Sequence, residues 1–234
     1  MLREDWVKEI LNQYDIVKVL SEKNGSSVLL LRHKTLKKEV VLRSYPAIIA
    51  TYERLKAVSH PNIPLVLDSL SFDDGQVVIE EFIDGITVAQ VLESGNYTYK
   101  GAKKIISEIG SALKTLHQMG IIHRDIKPEN VIITNKGCVK LLDFNATRVH
   151  TANKSSDTVI LGTIGYAPPE QFGISQSDTT ADIYALGVLL NVMLTGCHPS
   201  EKLAKGKAGR IVLKCTQIDP NSRYQSVDKL IEAL

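Results

Sequence analysis

The residues best equipped to do chemistry lie in one stretch, HRDIKPENVIITNKGCVKLLDFN, from His123 to Asn145. It holds Asp125, Lys127, Asn130 and Asp143: two carboxylates, an ammonium and an amide. Phosphoryl transfer asks for such a set. It needs little covalent work from a protein, only a carboxylate to orient the attacking hydroxyl, oxygen ligands for magnesium and cations on the phosphates. The stretch offers one of each in a short loop followed by a β-hairpin. A lysine before proline in a loop is otherwise an ordinary solvated side chain, so the weight falls on the neighbours of Lys127 rather than on the residue itself.

Elements to position that loop can be read on both sides of it. The runs YDIVKVLSE, SSVLLLRHK and KEVVLRSY are β-branched or aliphatic, separated by polar turns such as Lys23-Asn24-Gly25, and predict three strands. AIIATYERLKAVS predicts a helix over 47–59, closed at His60-Pro61 because the residue before proline disfavours the α region. LVLDSLSF and QVVIEEF predict two more strands, joined at Asp73-Asp74-Gly75. From Lys100 the period becomes helical: Ala102, Ile105, Ile106, Ile109, Ala112, Leu113 and Leu116 share a face, and Gly120 stops the helix. Thr180–Leu194 predicts a second, strongly apolar helix, followed by short helical pieces. A small β-rich lobe thus precedes a larger helical one, with a hinge near Glu81–Gly85, and a cleft between lobes is a common place for a small-molecule site.

Five motifs stand in order along the chain: HRDIKPEN, LLDFN, GTIGYAPPEQ, DIYALGVLL and DPNSRY. Together they resemble the signature of a eukaryotic-type (Hanks-type) Ser/Thr protein kinase over nearly the whole sequence, and GTIGYAPPEQFG is especially similar to bacterial members. The resemblance implies an α+β, bilobal protein kinase-like fold in a single domain over 1–234. Its β-rich N-lobe with one helix would cover about 1–81, the hinge about 82–85, and a mainly helical C-lobe about 86–234. It implies ATP and Mg2+ as cofactors. By it Asp125 corresponds to the catalytic base, Lys127 to the lysine that contacts the transferred phosphate, and Asn130 and Asp143 to the magnesium ligands. Val28 and Val41 match the roof of an adenine pocket and Ile132 its floor, with backbone groups of Glu81 and Ile83 at the hinge; each would also serve as a plain core residue, and the pocket assignment rests on the family alignment. His123 and Phe144 match packing residues, Asp182 the aspartate that anchors the catalytic loop, and Glu170 with Arg223 a buried structural ion pair. Arg124 resembles the arginine that receives a phosphorylated activation segment. That segment would run from Asp143 to Glu170, with Ser155, Ser156 and Thr158 as candidate phosphorylation sites and Thr163 matching the threonine that touches the catalytic aspartate.

The N-terminal region departs from the family. Its glycine-rich loop falls on LSEKNGSSV, where the three glycine positions are Ser21, Lys23 and Ser26 and the only glycine is Gly25. Glycine lets backbone amides close over phosphates, so the approach here is expected to be looser, with Lys23 adding charge. The family's strand lysine falls on Arg43, fifteen residues after Val28; arginine keeps the charge but is longer and planar. The lysine's usual helix glutamate falls on Thr51, and Glu53 lies on another face. Glu80, at a position usually apolar, is the expected partner of Arg43, because a buried carboxylate is costly without one. Asn145 follows Asp-Phe in place of glycine; asparagine is among the residues that best tolerate positive φ. Lysines and glycines crowd a short Pro199–Ile211 region, so the substrate-side helices look trimmed.

Composition narrows the partners. The chain has 234 residues, 28 basic and 26 acidic, and a formal net charge of +2, which gives no reason to expect nucleic acid or an anionic membrane. Cys138, Cys197 and Cys215 lie far apart with no metal-ligand spacing. The N-terminus has charges where a signal peptide needs an apolar core, and Ile183–Leu194 is too short to span a bilayer. A cytoplasmic protein is expected, of unknown oligomeric state, acting on an unidentified protein substrate. Its expected activity is transfer of the ATP γ-phosphate to serine or threonine hydroxyls, slow and with autophosphorylation included. The alternatives are a pseudokinase that docks nucleotide or a partner, favoured by the altered N-lobe, and a small-molecule kinase, which need not keep a segment such as GTIGYAPPEQ.

Overall fold

Strand residues alternate between two sides, and in the first third of this chain both sides carry apolar residues that need cover. The computed structural model describes residues 2–149, 165–172 and 178–234. It divides into two compact units, Met1–His60 with Pro64–Asp84, and Pro61–Ile63 with Gly85–Leu234. The first opens with helix α1 (Arg3–Leu11) and continues through β1 (Tyr14–Lys23), β2 (Ser26–His33), β3 (Glu39–Tyr45), helix α2 (Ala50–Leu55), β4 (Val66–Phe72) and β5 (Gly75–Glu81). Its strands form one antiparallel sheet in the order β1-β2-β3-β5-β4.

Register assigns the faces of this sheet. Leu29 lies opposite Leu42, Leu31 opposite Val40 and Leu42 opposite Ile79, so these residues share a side with Val77. Helix α1 covers that side with Trp6, Val7, Ile10 and Leu11, the Trp6 ring reaching Phe72 at 6.2 Å. A single helix is expected in the N-lobe from the sequence; α1 is a second. Its signal was present in four apolar residues at helical spacing behind Glu4 and Asp5 in the first turn. The other side carries Val28, Leu30, Val41, Arg43, Tyr45, Gln76, Val78 and Glu80. Helix α2 docks at one end of it, through the Tyr45 and Tyr52 hydroxyls 3.0 Å apart and an Ile49 N–H donating to Gln76 Oε1 at 2.7 Å. It is shorter than the 47–59 expected, since only Thr51, Tyr52 and Leu55 form a buried stripe.

The second unit runs β6 (Gly85–Thr87), α3 (Val88–Ser94), α4 (Tyr99–Gln118), β7 (Ile121–Ile122), β8 (Val131–Thr134), β9 (Val139–Leu141), β10 (Arg148–Val149), α5 (Thr179–Thr195), α6 (Gly206–Cys215) and α7 (Val227–Ala233). The apolar stripe expected on α4 is buried from Ala102 to Leu116. Helix α5 is apolar all round because neighbours surround it; at Gly187 an added Cβ would lie 2.3 Å from Cys215 Cβ of α6. Asn191, the one amide in that run, is satisfied: it donates to the carbonyls of Cys197 and Lys202 and accepts from the Ala204 N–H at 2.8 Å. No helix among the described residues is long and apolar enough to cross a membrane.

Candidate active site

Two structural devices assemble the catalytic stretch. The first is Asp182, fully buried near the start of α5, whose carboxylate accepts the backbone N–H groups of His123 and Arg124, each at 2.9 Å. It also meets His117 Nε2 of α4 at 2.8 Å. Burial pushes the Asp182 carboxyl up, but the hydrogen bond and charge of His117, the charge of His123 and the Arg124 amide outweigh it and hold it below the ordinary carboxylate value. Arg124 is thereby held at φ +70°, a conformation an arginine adopts only where its surroundings impose it, and its carbonyl accepts from Gln171 Nε2 at 2.7 Å.

The second device is the β8–β9 hairpin. Val131 pairs with Leu141, and the Leu142 N–H donates to the Asn130 carbonyl at 2.8 Å. Residues 130 and 142 therefore lie abreast, with Asp143 next along the chain at φ +64°. His123 and Phe144 pack edge to face at 5.3 Å, and the His123 ring meets the Leu142 carbonyl at 3.1 Å. Burial holds the His123 imidazole below its ordinary value, against the pull of Asp182, Asp125 and Asp143. That fits the packing role expected of it.

Between these devices Asp125, Lys127 and Asn130 converge. Lys127 Nζ lies 2.8 Å from Asp125 Oδ2, and Asn130 Nδ2 donates at 2.8 Å both to that oxygen and to the Asp125 carbonyl. With its amide nitrogen committed to Asp125, Asn130 keeps Oδ1 as an oxygen donor. A carboxylate and an amide oxygen are hard ligands of the kind magnesium takes. No group of three His, Cys, Asp or Glu side chains that could cage a metal occurs among the described residues. The donor set thus fits a cation that is shared with substrate phosphates.

On the first unit, Val28, Val41, Arg43 and Glu80 share one sheet face. The Arg43–Glu80 pairing expected from the sequence is present: Arg43 Nε donates to Glu80 Oε2 at 2.7 Å. Glu81 ends β5, with its N–H donating to the Leu65 carbonyl and its side chain accepting the Leu65 N–H. Ile83 follows it within the same unit, half-buried, while Ile132 lies half-buried on β8 of the second unit. Where the glycine-rich loop was expected, β1 and β2 stay paired to Lys23↔Ser26, leaving only Asn24 and Gly25 in the turn. Asn145 is not among the positive-φ residues, so asparagine carries no backbone cost there.

In the second unit the Glu170–Arg223 pair is bidentate, at 2.6 and 2.9 Å. Ser155, Ser156, Thr158 and Thr163 lie outside the described residues. Sequence reasoning missed His117 and Gln171. A histidine beside the apolar stripe, one turn past Leu113, was the available signal for the first; nothing local marks the second.

Known proteins share this chain's sequence pattern over most of its length. The protein kinase domain family model matches residues 15–232. The chain is 36% identical over 157 residues to the probable serine/threonine-protein kinase PknB of Lactococcus lactis, covering 64% of this chain and 25% of that protein. It is 28% identical over 259 residues to the serine/threonine-protein kinase PrkC of Bacillus subtilis (95% and 40%), and 28% identical over 242 residues to the serine/threonine-protein kinase PknB of Mycobacterium tuberculosis (95% and 39%). The chain thus spans between a quarter and two-fifths of the length of these relatives. Protein kinases as a family use ATP and a divalent metal and act on proteins. By its motifs, its catalytic loop and a match over nearly its full length, this chain belongs to the protein kinase domain family.

Proposed function

We propose that this chain is a Ser/Thr protein kinase that transfers the γ-phosphoryl group of ATP to protein hydroxyls, with residues 1–234 acting as one catalytic domain. The observation that carries the reading is the fixed carboxylate of Asp125, gripped by Lys127 and Asn130 at 2.8 Å each on a loop tied to Asp182. Asp125 orients the attacking hydroxyl and takes its proton. Lys127 supplies positive charge to the phosphoryl oxygens as transfer proceeds. Asn130 and Asp143 are the residues that would hold magnesium, which when bound neutralises phosphate charge. Val28 and Val41, with the backbone of Glu81 and Ile83, are the first unit's adenine contacts in this reading, Ile132 is the second unit's, and Arg43 is the contact to the phosphates. The tight β1–β2 turn leaves no open glycine loop to wrap the phosphates, so slow turnover is expected. Arg124 would receive a phosphate placed on the 155–158 segment.

The test is intact-mass spectrometry of the chain and a basic protein substrate after incubation with magnesium-ATP, beside Asp125→Asn. Phosphate is expected with the natural chain, and at least about a hundredfold less with the variant. No phosphate on either protein, with nucleotide bound, overturns the reading in favour of a docking module.

A further inference from the structure

A cavity of about 460 Å³ opens on the helical unit and shares no residue with the catalytic stretch or with the proposed nucleotide contacts. Its volume lies within the range of about 300–1,000 Å³ in which small-molecule sites are found. Three elements supply its apolar walls: Tyr99 at the start of α4, Leu194 at the end of α5, and Leu203, Ala204 and Ala208 where the chain enters α6.

The buried amide of Asn191 fixes this wall from behind. Its Nδ2 donates to the Lys202 carbonyl and its Oδ1 accepts the Ala204 N–H, each at 2.8 Å. Thr195, also on the wall, donates its hydroxyl to the Asn191 carbonyl at 2.9 Å. The Tyr99 hydroxyl is engaged too, donating to the Leu234 carbonyl at 2.7 Å. These polar groups are thus satisfied within the protein, and the surface left to the cavity is mainly apolar.

The remaining lining residues are Lys202, Lys205 and Lys207, all exposed. Among the described residues none of their ammonium groups takes part in an ion pair or hydrogen bond, and no carboxylate lines the cavity. In a chain whose formal net charge is only +2, three cations therefore stand on one rim without a counter-charge. Beside an apolar surface their attraction for an anion is stronger than in open water.

Apolar walls under a cationic rim match one chemistry, an apolar body that ends in an anion. An acidic peptide fits less well. A peptide laid in a groove gains from main-chain hydrogen bonds, and the Lys202 carbonyl and Ala204 N–H that could offer them are taken by Asn191.

We propose that this cavity binds an amphiphilic carboxylate, a fatty-acid-like molecule whose chain lies against Tyr99, Leu194 and Ala208 and whose carboxylate meets Lys202, Lys205 and Lys207. The site stands apart from phosphoryl transfer, whatever the outcome of the kinase test.

Calorimetric titration of the full chain with decanoate tests it, with butyrate as the probe that keeps the carboxylate and lacks the long chain. Saturable binding of one decanoate is expected, with butyrate at least tenfold weaker. Replacing Lys202, Lys205 and Lys207 together by glutamine is expected to weaken decanoate by about tenfold. Ala208→Phe, which fills the cavity, is expected to abolish saturable binding. Decanoate that fails to saturate, or that binds the Ala208→Phe chain as well as the natural one, overturns the proposal. Unchanged affinity in the triple lysine variant removes the carboxylate contact and the proposal with it. Binding of a glutamate-rich peptide through these lysines, with none of decanoate, would make the rim a peptide surface instead. Should Ala208→Phe fail to fold by circular dichroism, Leu203→Trp, at a half-buried position of the same wall, is read in the same way.

Discussion

Asp182 stays ionised in a place where burial alone would neutralise it, because His117, His123 and the Arg124 amide all favour its charged form. Its value in the folded chain lies below the roughly 3.9 of an unfolded aspartate. The stability this contributes is therefore complete above about pH 4 and is lost as the pH falls through the folded value. Asp182→Asn is expected to cost about 2 kcal/mol at pH 7, since two backbone donors and His117 lose their charged acceptor. Below pH 4 the gap between variant and natural chain should narrow. Urea unfolding at pH 7 and pH 3.5 measures both; a gap that stays constant would mean the loss is packing, not charge. Asn145 teaches the opposite lesson. Read from sequence, it raised the question of a strained turn, but the positive φ lies two residues earlier, on Asp143, at +64°. Residue type signals a demand on the backbone without saying which neighbour bears it.

Short elements carry the departures from the family. Asn24 and Gly25 both have positive φ, +51° and +73°, the geometry of a two-residue turn whose twist matches its strands. That turn lets β1 and β2 pair to their ends, and it closes off the open loop that three glycines would make. An added Cβ at Gly25 meets nothing nearer than Pro46 at 3.8 Å, so conformation and not space forbids a side chain. Gly25→Ala is expected to cost about 1 kcal/mol and to lower the melting temperature by about 3 °C, checked by differential scanning fluorimetry; an unchanged melt would show the turn has another way to close. Turns and strands of this kind were legible because alternation and Asn-Gly are local signals. The extent of α2 was not, because AIIATYERLKAVS keeps apolar residues at helical spacing at Ile48, Tyr52, Leu55 and Val58, whereas only Thr51, Tyr52 and Leu55 are buried by the helix, and Ile48 is exposed. The β8–β9 hairpin shows a local signal with a distant consequence: its register sets Asn130 beside Leu142, and so next to Asp143.

At the scale of the whole molecule, the folded body is larger than the range the family shares. The match covers residues 15–232, yet α1 precedes it and covers the sheet face of Leu29, Leu31, Leu42, Val77 and Ile79. Its first turn is tied to the β4–β5 turn by the Arg3 N–H, which donates to Asp74 Oδ1 at 3.1 Å. At the other end Leu234 is 3% exposed, and its carbonyl accepts from the Tyr99 hydroxyl at 2.7 Å. The motifs made the catalytic loop legible because its chemistry restricts residue type. They say nothing of α1, which covers apolar surface, a demand that many sequences can meet. Each of Trp6, Val7, Ile10 and Leu11 contributes on the order of 1 kcal/mol from partial burial. Their sum is comparable with the lower end of a domain's whole stability. A chain cut to residues 15–232 is therefore expected to melt at least about 10 °C lower than the full chain, and to bind the dye ANS through the uncovered sheet face. A second chain lacking only residues 233 and 234 separates the C-terminal contribution and should lose far less. Equal melting of the full and cut chains, without dye binding, would make α1 an appendage and leave the sheet to be stabilised by its own packing.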